Sequence, residues 1–510
     1  MAYLSLIPIA IVAIVLFQLR NVGRRPKDYP PGPPTLPLIG NLHQIPAKDP
    51  HHQYKKWAEE YGPVYSLILG NMVLVVLSSD QAVKDLLDKR GNIYSSRTDL
   101  YLGNIASGYL RMVLMDLETK QMLCGFLEQP QEFLAHIGRF TTSLTTQMVF
   151  GFRTTSIHDE KLKKLYRGVE KWSELVGSST AALLNVYPIL RRLPDFMLPL
   201  RRYAQELHKE EKKLYVGHWM DAKNRIIQGT SKPCACVGLV EGQKAFGFSD
   251  DLGGYITGSL LEAGSDTTAA TLIGFVQAML LHPSAQKQAQ EEIDRVCGDR
   301  LPTMDDWEAL PYVRASVKES LRWMPTTING VPHAVIQDDW YMGYKIPKGA
   351  SVTWNEWGIH MDPKRFTNPR TFDPSRYLGD NQTSSEAAMN GDVSKRDHFG
   401  FGAGRRLCQG LHIADRSLFL SIARLLWAFN LEKAVDERGE EIMPDPDNLS
   451  QGLLVHPRPF PASITPRSKH HAELVRKEWE DCQVFLDDEK QWTEVPEGMK
   501  FHLQVAGMKV

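Results

Sequence analysis

The stretch FGFGAGRRLCQG, residues 399–410, places four glycines around two arginines and one cysteine, Cys408. Glycine is costly to order, so a chain uses it where the backbone must bend unusually or where another group approaches closely. The apolar residues that follow from Leu411 predict a buried helix that begins just after Cys408. Because a helix N-terminus and nearby arginines lower the pKa of a thiol, we expect Cys408 to be a thiolate.

A thiolate at this position can be a nucleophile, a zinc ligand or the ligand of a haem iron. A nucleophile needs a histidine base and a third orienting group, and zinc needs three further ligands; the sequence offers neither at suitable spacing. A dinucleotide fingerprint that started at Gly400 would need glycine where Arg405 stands. Haem iron needs one protein ligand, and its propionates attract arginine, so the loop favours a haem-thiolate site.

The remaining sequence is typical of a large globular protein. Of its 510 residues, 43% are hydrophobic and 23% charged, and the formal net charge is −1. This composition excludes a disordered chain and gives no reason to expect nucleic acid as a partner. The six cysteines contain no CxxC pair, which argues against a disulfide framework and for a reducing compartment.

An uncharged apolar run, YLSLIPIAIVAIVLFQL at residues 3–19, distinguishes the start of the chain. It is close to the ~20 residues that cross a bilayer, and basic residues follow it directly. Because basic residues stay on the cytoplasmic side, we expect residues 1–19 to be a transmembrane anchor for a cytosolic body. Residues 20–35 then form a basic, proline-rich linker.

The pattern of residues 36–468 predicts a mainly helical domain with a small β component. Two β-rich runs joined by Gly70-Asn71 predict a hairpin, and the apolar run at 252–282 predicts a long core helix. The stretch YPILRRLPDFMLPLRRY at 187–203 mixes apolar residues with arginines. Both an ordinary helix–helix loop and a second membrane-touching surface explain it.

The cysteine loop resembles the haem signature of the cytochrome P450 family, F-x-x-G-x-R-x-C-x-G, which matches Phe401, Gly404, Arg406, Cys408 and Gly410. The resemblance extends from about residue 30 to residue 468, because three further motifs follow in the family's order. It implies the P450 fold as one large haem domain, with Cys408 as the axial ligand of the iron. It also implies that Arg406 contacts a haem propionate and that Phe401, Gly402 and Gly404 form the cofactor-binding loop.

The motif AGSDTT at residues 263–268 lies within the predicted core helix. Polar residues in a helix interior are disfavoured unless they are used, although hydroxyls that bond to the preceding turn are the ordinary explanation. In the P450 family an acid–alcohol pair relays protons to dioxygen. The resemblance implies that Asp266 and Thr267 take these catalytic roles and that Ala263 and Gly264 leave room over the iron.

Two further motifs resemble structural parts of the family. KESLRWMP contains Glu319 and Arg322 one turn apart, which alone is a weak signal. With Arg376 of FDPSR they resemble the family's Glu–Arg–Arg lock, which is structural and not catalytic. GVPHAV places His333 where the family often has a propionate contact, and an ordinary loop histidine remains an alternative.

The chain also departs from the family. There is no tryptophan between Trp57 and Trp172, so the helix with the W-x-x-x-R pattern that binds a propionate is missing. We therefore expect an internal deletion of a few tens of residues near 105–112. Residues 469–510 are an unmatched polar tail. Together these features suggest a mis-spliced form or a catalytically impaired, haem-poor paralogue.

The resemblance implies a haem-dependent monooxygenase that inserts one oxygen atom from O2 into a lipophilic small molecule. The sequence has no nicotinamide or flavin fingerprint, so electrons would come from an NADPH–cytochrome reductase at the endoplasmic reticulum membrane. The amino-acid sequence around the motifs is similar to that of fungal microsomal enzymes of the O-methylsterigmatocystin oxidoreductase type. This similarity implies a role in secondary metabolism. A haem-thiolate enzyme that rearranges peroxides without a reductase is the other alternative, and the Asp266–Thr267 pair argues against it. Candidate substrate-lining segments are Ile105–Tyr109 and Ala181–Tyr187.

Overall fold

The computed structural model describes residues 22–46, 49–70, 72–90, 94 and 111–493, which are mainly helical with small sheets. In chain order the helices are α1 (Pro50–Tyr61), α2 (Asp80–Val83), α3 (Arg111–Glu128), α4 (Phe133–Phe150), α5 (Glu160–Gly177), α6 (Ser179–Val186), α7 (Pro199–Ile227), α8 (Ala235–Phe246), α9 (Asp250–Leu281), α10 (Pro283–Cys297), α11 (Pro311–Trp323), α12 (Glu356–His360), α13 (Ser384–Met389), α14 (Leu411–Ala428) and α15 (Lys469–Gln483). The strands are β1 (Val64–Leu69), β2 (Met72–Leu77), β3 (His333–Ala334), β4 (Asp339–Tyr341), β5 (Tyr344–Ile346), β6 (Ser351–Trp354), β7 (Phe429–Lys433) and β8 (Ala462–Pro466).

The largest sheet has four strands in the order β1–β2–β6–β3. The β1–β2 hairpin, whose predicted turn begins at Gly70, pairs Val64 with Leu77 and Leu69 with Met72. The hairpin prediction is therefore confirmed. β6 joins β2 in parallel, and β3 pairs antiparallel with β6. Strands β4 and β5 form one two-stranded sheet, and β7 and β8 form another.

The 32-residue helix α9 is the central core element, as the apolar run at 252–282 predicted. Ser249 caps it, because its side chain accepts a hydrogen bond from the backbone N–H of Leu252 at 3.2 Å. α9 packs against α4 and along α7. A Cβ on Gly258 would lie 2.3 Å from Cγ of Tyr215, so this glycine lets α7 approach α9 closely.

The C-terminal helix α15 packs on α3. Val475 of α15 is buried, and Lys120 of α3 forms an ion pair with Glu478 at 2.8 Å. After the helix the chain reaches Trp492, which is buried and donates from Nε1 to Oε1 of Gln147 at 2.7 Å. Residues 469–493, the described part of the polar tail, thus pack on the folded body.

Two predictions fall on residues that are not described. The anchor at 1–19 lies outside the described ranges, and so do residues 95–110, where most of the expected deletion falls. Over the ranges that the structure describes, no helix combines the length and the apolar character needed to cross a bilayer.

Candidate active site

The cysteine loop runs from Phe399 into α14, which begins at Leu411 as predicted. The backbone N–H of Cys408 donates to the carbonyl oxygen of Phe401 at 2.8 Å, and this bond closes the loop on itself. The Cys408 side chain is exposed, and its sulfur accepts hydrogen bonds from the backbone N–H groups of Gly410 and Leu411. The loop therefore presents a sulfur atom that is supported from behind by two amide groups.

Two loop glycines have backbone conformations that favour glycine. Gly402 has φ +78° and Gly404 has φ +67°. A Cβ on Gly404 would lie 2.0 Å from the carbonyl oxygen of Leu87, and the N–H of Gly404 donates to Oδ1 of Asp88. The glycine at 404 is thus required by a neighbouring backbone segment, the π-helical turn Lys84–Lys89.

The predicted lowering of the Cys408 thiol pKa is wrong for this geometry. The sulfur is open to solvent on one side but has protein atoms around the rest of it, and this partial removal of water raises the pKa of the thiol; the amide groups of Gly410 and Leu411 offset the increase only in part. A coordinating metal ion deprotonates a thiol outright, and hydrogen bonds to the sulfur tune the metal that it binds. A single exposed sulfur with two amide donors therefore fits a thiolate ligand of haem iron.

The acid–alcohol pair lies in the middle of α9. The hydroxyl of Thr267 donates to the carbonyl oxygen of Ala263 at 2.7 Å, which is the ordinary bond to the preceding turn. Asp266 is buried; burial raises the pKa of its carboxyl group, and the nearby His456 opposes this change. A Cβ on Gly264 would lie 2.7 Å from Oγ1 of Thr145, so this glycine brings α9 close to α4. Ala263, in contrast, is exposed in the middle of the core helix.

The structure brings Glu319, Arg322 and Arg376 together. Arg322 donates from Nε and from Nη2 to the two carboxylate oxygens of Glu319, each at 2.7 Å. Nε of Arg376 lies 3.4 Å from Oε1 of Glu319, an ion pair without hydrogen-bond geometry. Arg322 also donates to the carbonyl oxygens of His360 and Pro369. The cluster ties α11 to the segment after α12.

His333 is buried in β3. Its Nδ1 lies 2.8 Å from the carbonyl oxygen of Tyr94, and its ring packs edge-on against Trp354 at 5.8 Å. Its role at a propionate, like the role of Arg406, stays a prediction.

Sequence reasoning missed two residues near the site. Arg396 donates to the carbonyl oxygen of Gly402 and stacks over the ring of Phe399 at 4.2 Å, so it supports the cysteine loop. Nothing in the polar sequence around Arg396 marks it. Glu262 precedes Asp266 by one helical turn. A charged residue inside an otherwise apolar helix is unusual, and this pattern could have marked Glu262 from the sequence.

The body is mainly helical, and one amide-supported cysteine lies at the start of a buried helix against which α9 packs. These features define a haem-thiolate protein. The family model for Cytochrome P450 matches residues 30–121 and 110–463. The chain therefore belongs to the cytochrome P450 family, whose members bind haem through a cysteine thiolate.

Relatives with the same family name are fungal. Cytochrome P450 monooxygenase virE of Hypocrea virens is 55% identical, over 96% of this chain and 95% of its own length. Cytochrome P450 monooxygenase fsoB of Humicola fuscoatra is 52% identical over 98% of both chains. Cytochrome P450 monooxygenase fogE of Aspergillus ruber is 50% identical, over 96% of this chain and 97% of its own length. The chain is thus an oxidoreductase of the P450 monooxygenase type.

The comparisons also bear on the length of this chain. The family model matches in two pieces that share residues 110–121. The alignment with the Hypocrea relative has 521 positions but covers 96% of a 510-residue chain, so roughly thirty residues of that relative have no counterpart here. Residues 469–510 lie beyond the family model, and the Humicola relative nevertheless covers 98% of the chain.

Proposed function

We propose that this chain inserts one oxygen atom from O2 into a lipophilic small molecule of fungal secondary metabolism, with electrons from an NADPH–cytochrome reductase. The observation that carries the proposal is the exposed sulfur of Cys408, which two backbone amides hold at the start of α14. The printed names of the relatives, all cytochrome P450 monooxygenases, support the reaction type.

When bound, the haem supplies the iron that carries and activates oxygen. Cys408 would hold its iron, and Arg406 and His333 would bind its propionates. The chain's own contribution from α9 is to hold and move a proton. Burial lets Asp266 hold its proton at a higher pH than an exposed aspartate does, and Thr267 is fixed beside it by its bond to Ala263.

A reduced, carbon monoxide-treated difference spectrum of the membrane-expressed chain tests this function. We expect the red-shifted Soret band of thiolate-bound ferrous haem in the unaltered chain and its loss in Cys408→Ala. Cys482→Ala is the matched control, because Cys482 is a buried cysteine on α15, outside the loop. A band that survives in Cys408→Ala, or one that Cys482→Ala also loses, would contradict the assignment of the ligand.

The proposal includes attachment to the endoplasmic reticulum membrane, with residues 1–19 as the anchor and the body in the cytosol. A second contact surface supports it: large apolar side chains are exposed on the α6–α7 connection and on the segment before α1, namely Ile189, Phe196, Met197, Leu36 and Leu38. The Tyr187 hydroxyl donates to the carbonyl oxygen of Leu38 and joins the two segments. Exposed apolar groups with arginines beside them are typical of a surface that contacts lipid.

Vesicle flotation of a chain that lacks residues 1–19 measures this second contact. Phe196→Glu should reduce binding to phospholipid vesicles, because Phe196 is 79% exposed on the proposed surface. Ile227→Glu is the control, since Ile227 is 70% exposed at the far end of α7. Equal binding by both variants would contradict the proposed surface.

A second candidate is a haem-poor form with impaired activity. The two-piece family match and the roughly thirty unmatched residues of the Hypocrea relative favour it. Sequencing the transcript decides whether the block is absent from the message. If it is absent, inserting the relative's block before residue 111 should raise the haem content per chain; an unchanged haem content would reject this candidate.

A further inference from the structure

Titratable side chains form a line along the interface between α7 and α9. On α7 they are His208, Glu211 and Tyr215, and on α9 they are Tyr255, Glu262 and Asp266. Residues three, four or seven positions apart lie on one face of a helix, and both sets have this spacing. The line thus follows the seam between two helices, from exposed His208 to the acid that the proposed function uses.

The contacts along the seam are specific. The hydroxyl of Tyr215 donates to Oε1 of Glu262. The hydroxyl of Tyr255 lies 2.6 Å from Nδ1 of His208, and the rings of Tyr215 and Tyr255 meet edge to face at 5.6 Å. Gly258 makes room for the Tyr215 ring, as its missing side chain shows. The seam is therefore packed around these polar groups.

One atom in the seam has no partner. Oε1 of Glu211 is buried, and no described residue donates a hydrogen bond to it. A buried carboxylate oxygen without a donor is costly, and protonation of the carboxyl group lowers that cost because it removes the buried charge. Glu211 thus lies one helical turn from the surface residue His208 on α7 and close enough to Glu262 of α9 to feel its charge.

The electrostatics of the seam agree with this. Burial and the neighbouring Glu262 raise the pKa of Glu211 to about 7. Burial also raises the pKa of Glu262, with Tyr215 opposing and Asp266 adding to the increase. Two titratable groups from other elements also interact electrostatically with Asp266: Tyr166 of α5 and His456 of the loop before β8. Each carboxyl group in the line can therefore hold a proton at a higher pH than an exposed carboxyl group.

The geometry points to a proton relay in which Glu211 and Glu262 resupply Asp266 from solvent. This inference rests on the proposed function, since it feeds the acid used there. When Asp266 releases its proton, Glu262 passes one to the Asp266 carboxylate and takes one from Glu211. Glu211 then takes a proton from solvent at the His208 end. Each step moves one proton between two oxygens, and no oxidant or reductant is consumed; Tyr215 is a positioning residue that holds Glu262.

The first test reads the carboxyl groups directly and does not depend on turnover. As the pH is lowered from 9 to 5, deuterium-sensitive C=O bands of protonated carboxyl groups should appear in the infrared spectrum of the unaltered chain before exposed carboxyl groups take up protons. Glu262→Gln and Glu211→Gln should each remove intensity from them. Glu206→Gln is the control, because Glu206 is exposed on α7 and paired with Lys209 at 2.8 Å. Spectra of Glu262→Gln that match the control would overturn the relay.

The second test measures coupling with the reductase, as the fraction of consumed oxygen that appears as product and not as hydrogen peroxide. Glu262→Gln should lower this fraction roughly tenfold and enlarge the solvent deuterium isotope effect, while the carbon monoxide band stays unchanged. Tyr215→Phe should give a smaller loss, and Glu262→Asp should restore part of it. A fully coupled Glu262→Gln variant beside an impaired Asp266→Asn variant would overturn the relay. An unaltered chain without the carbon monoxide band would instead reject the proposed function, and the infrared result would still decide the relay.

Discussion

Two buried glutamates, Glu118 and Glu319, are each paired with two arginines, but in different ways. Arg139 lies 2.5 Å from Oε2 of Glu118, and Nε of Arg153 lies 2.6 Å from Oε1. Glu319 has one arginine in a two-bond contact, Arg322, and a second at 3.4 Å. Both glutamates are fully buried, so the difference lies in how close the second guanidinium group comes.

The pKa values of the two carboxyl groups shift in opposite directions. Burial alone would raise the pKa of Glu118, but Arg153 and Arg139 bring it below its usual value. Burial raises the pKa of Glu319, and Arg322 does not fully offset it. Two close guanidinium groups therefore compensate the desolvation of one carboxylate, and a single close one does not.

We expect the largest loss of stability from a substitution that breaks the cluster of Glu118 with its two arginines. Glu118→Gln leaves two buried guanidinium groups without their carboxylate, and we expect it to lower the free energy of unfolding by about 3–5 kcal/mol. Denaturant unfolding of the two chains measures the loss. Glu210→Gln, which removes an exposed partner of Lys171, should change stability by less than about 1 kcal/mol. A similar effect of both variants would contradict the role of Glu118.

The second prediction separates the two arginines of Glu319. Arg322→Ala should cost about 3–5 kcal/mol, because it removes both short bonds to a buried carboxylate. Arg376→Ala should cost less, about 1–3 kcal/mol, since its guanidinium group lies farther away. Unfolding curves of the two variants decide the order. Equal losses would show that distance does not explain the difference from Glu118.

Glu356, a buried carboxylate with no arginine within hydrogen-bond distance among the described residues, sharpens the comparison. Burial raises its pKa from 4.5 to about 8. Between these values the folded state binds one more proton than the unfolded state, so stability falls as pH rises, by about 1.4 kcal/mol per pH unit. Unfolding free energies between pH 5 and 8 should show this slope in the unaltered chain and lose it in Glu356→Gln. If the unfolding free energy changes with pH equally in the unaltered chain and in Glu356→Gln, the raised pKa of Glu356 is contradicted.

The smallest effect concerns the C-terminal support of the Glu118 cluster. Trp492→Phe removes the hydrogen bond to Gln147, whose Nε2 donates to Glu118 at 2.8 Å. We expect a loss of about 1 kcal/mol in unfolding free energy. Trp340→Phe is the control, because Trp340 is 56% exposed on β4. No difference between the two tryptophan variants would show that this bond does not support the cluster.

The same pair shows what the sequence can predict. Glu319 and Arg322 lie on adjacent turns inside a family motif, so a local pattern was sufficient to predict their contact. Arg139 and Arg153 follow Glu118 by 21 and 35 residues, and Trp492 follows Gln147 by 345. No local pattern links such distant residues, because tertiary packing alone brings them together.

The cysteine loop likewise has features that the sequence could predict and features that it could not. The start of α14 just after Cys408 follows from apolar periodicity, and the structure has it there. The direction of the Cys408 pKa shift could not be predicted, because the loss of water around the sulfur outweighs the amide groups, and that loss depends on how the whole fold surrounds the loop. The contact of Gly404 with Leu87 likewise depends on a segment more than three hundred residues away.

The support of Arg153 by the C-terminal segment has a consequence for synthesis. Gln491 exchanges hydrogen bonds with the backbone of Arg153, and the carbonyl oxygen of Lys490 accepts from its guanidinium group. Chains fold from the N-terminus while the ribosome still adds residues. Arg153, which follows α4, therefore lacks its hydrogen bonds to residues 490 and 491 until nearly the whole polypeptide has left the ribosome. A ribosome that stops early releases a chain that has every catalytic residue but lacks this final closure.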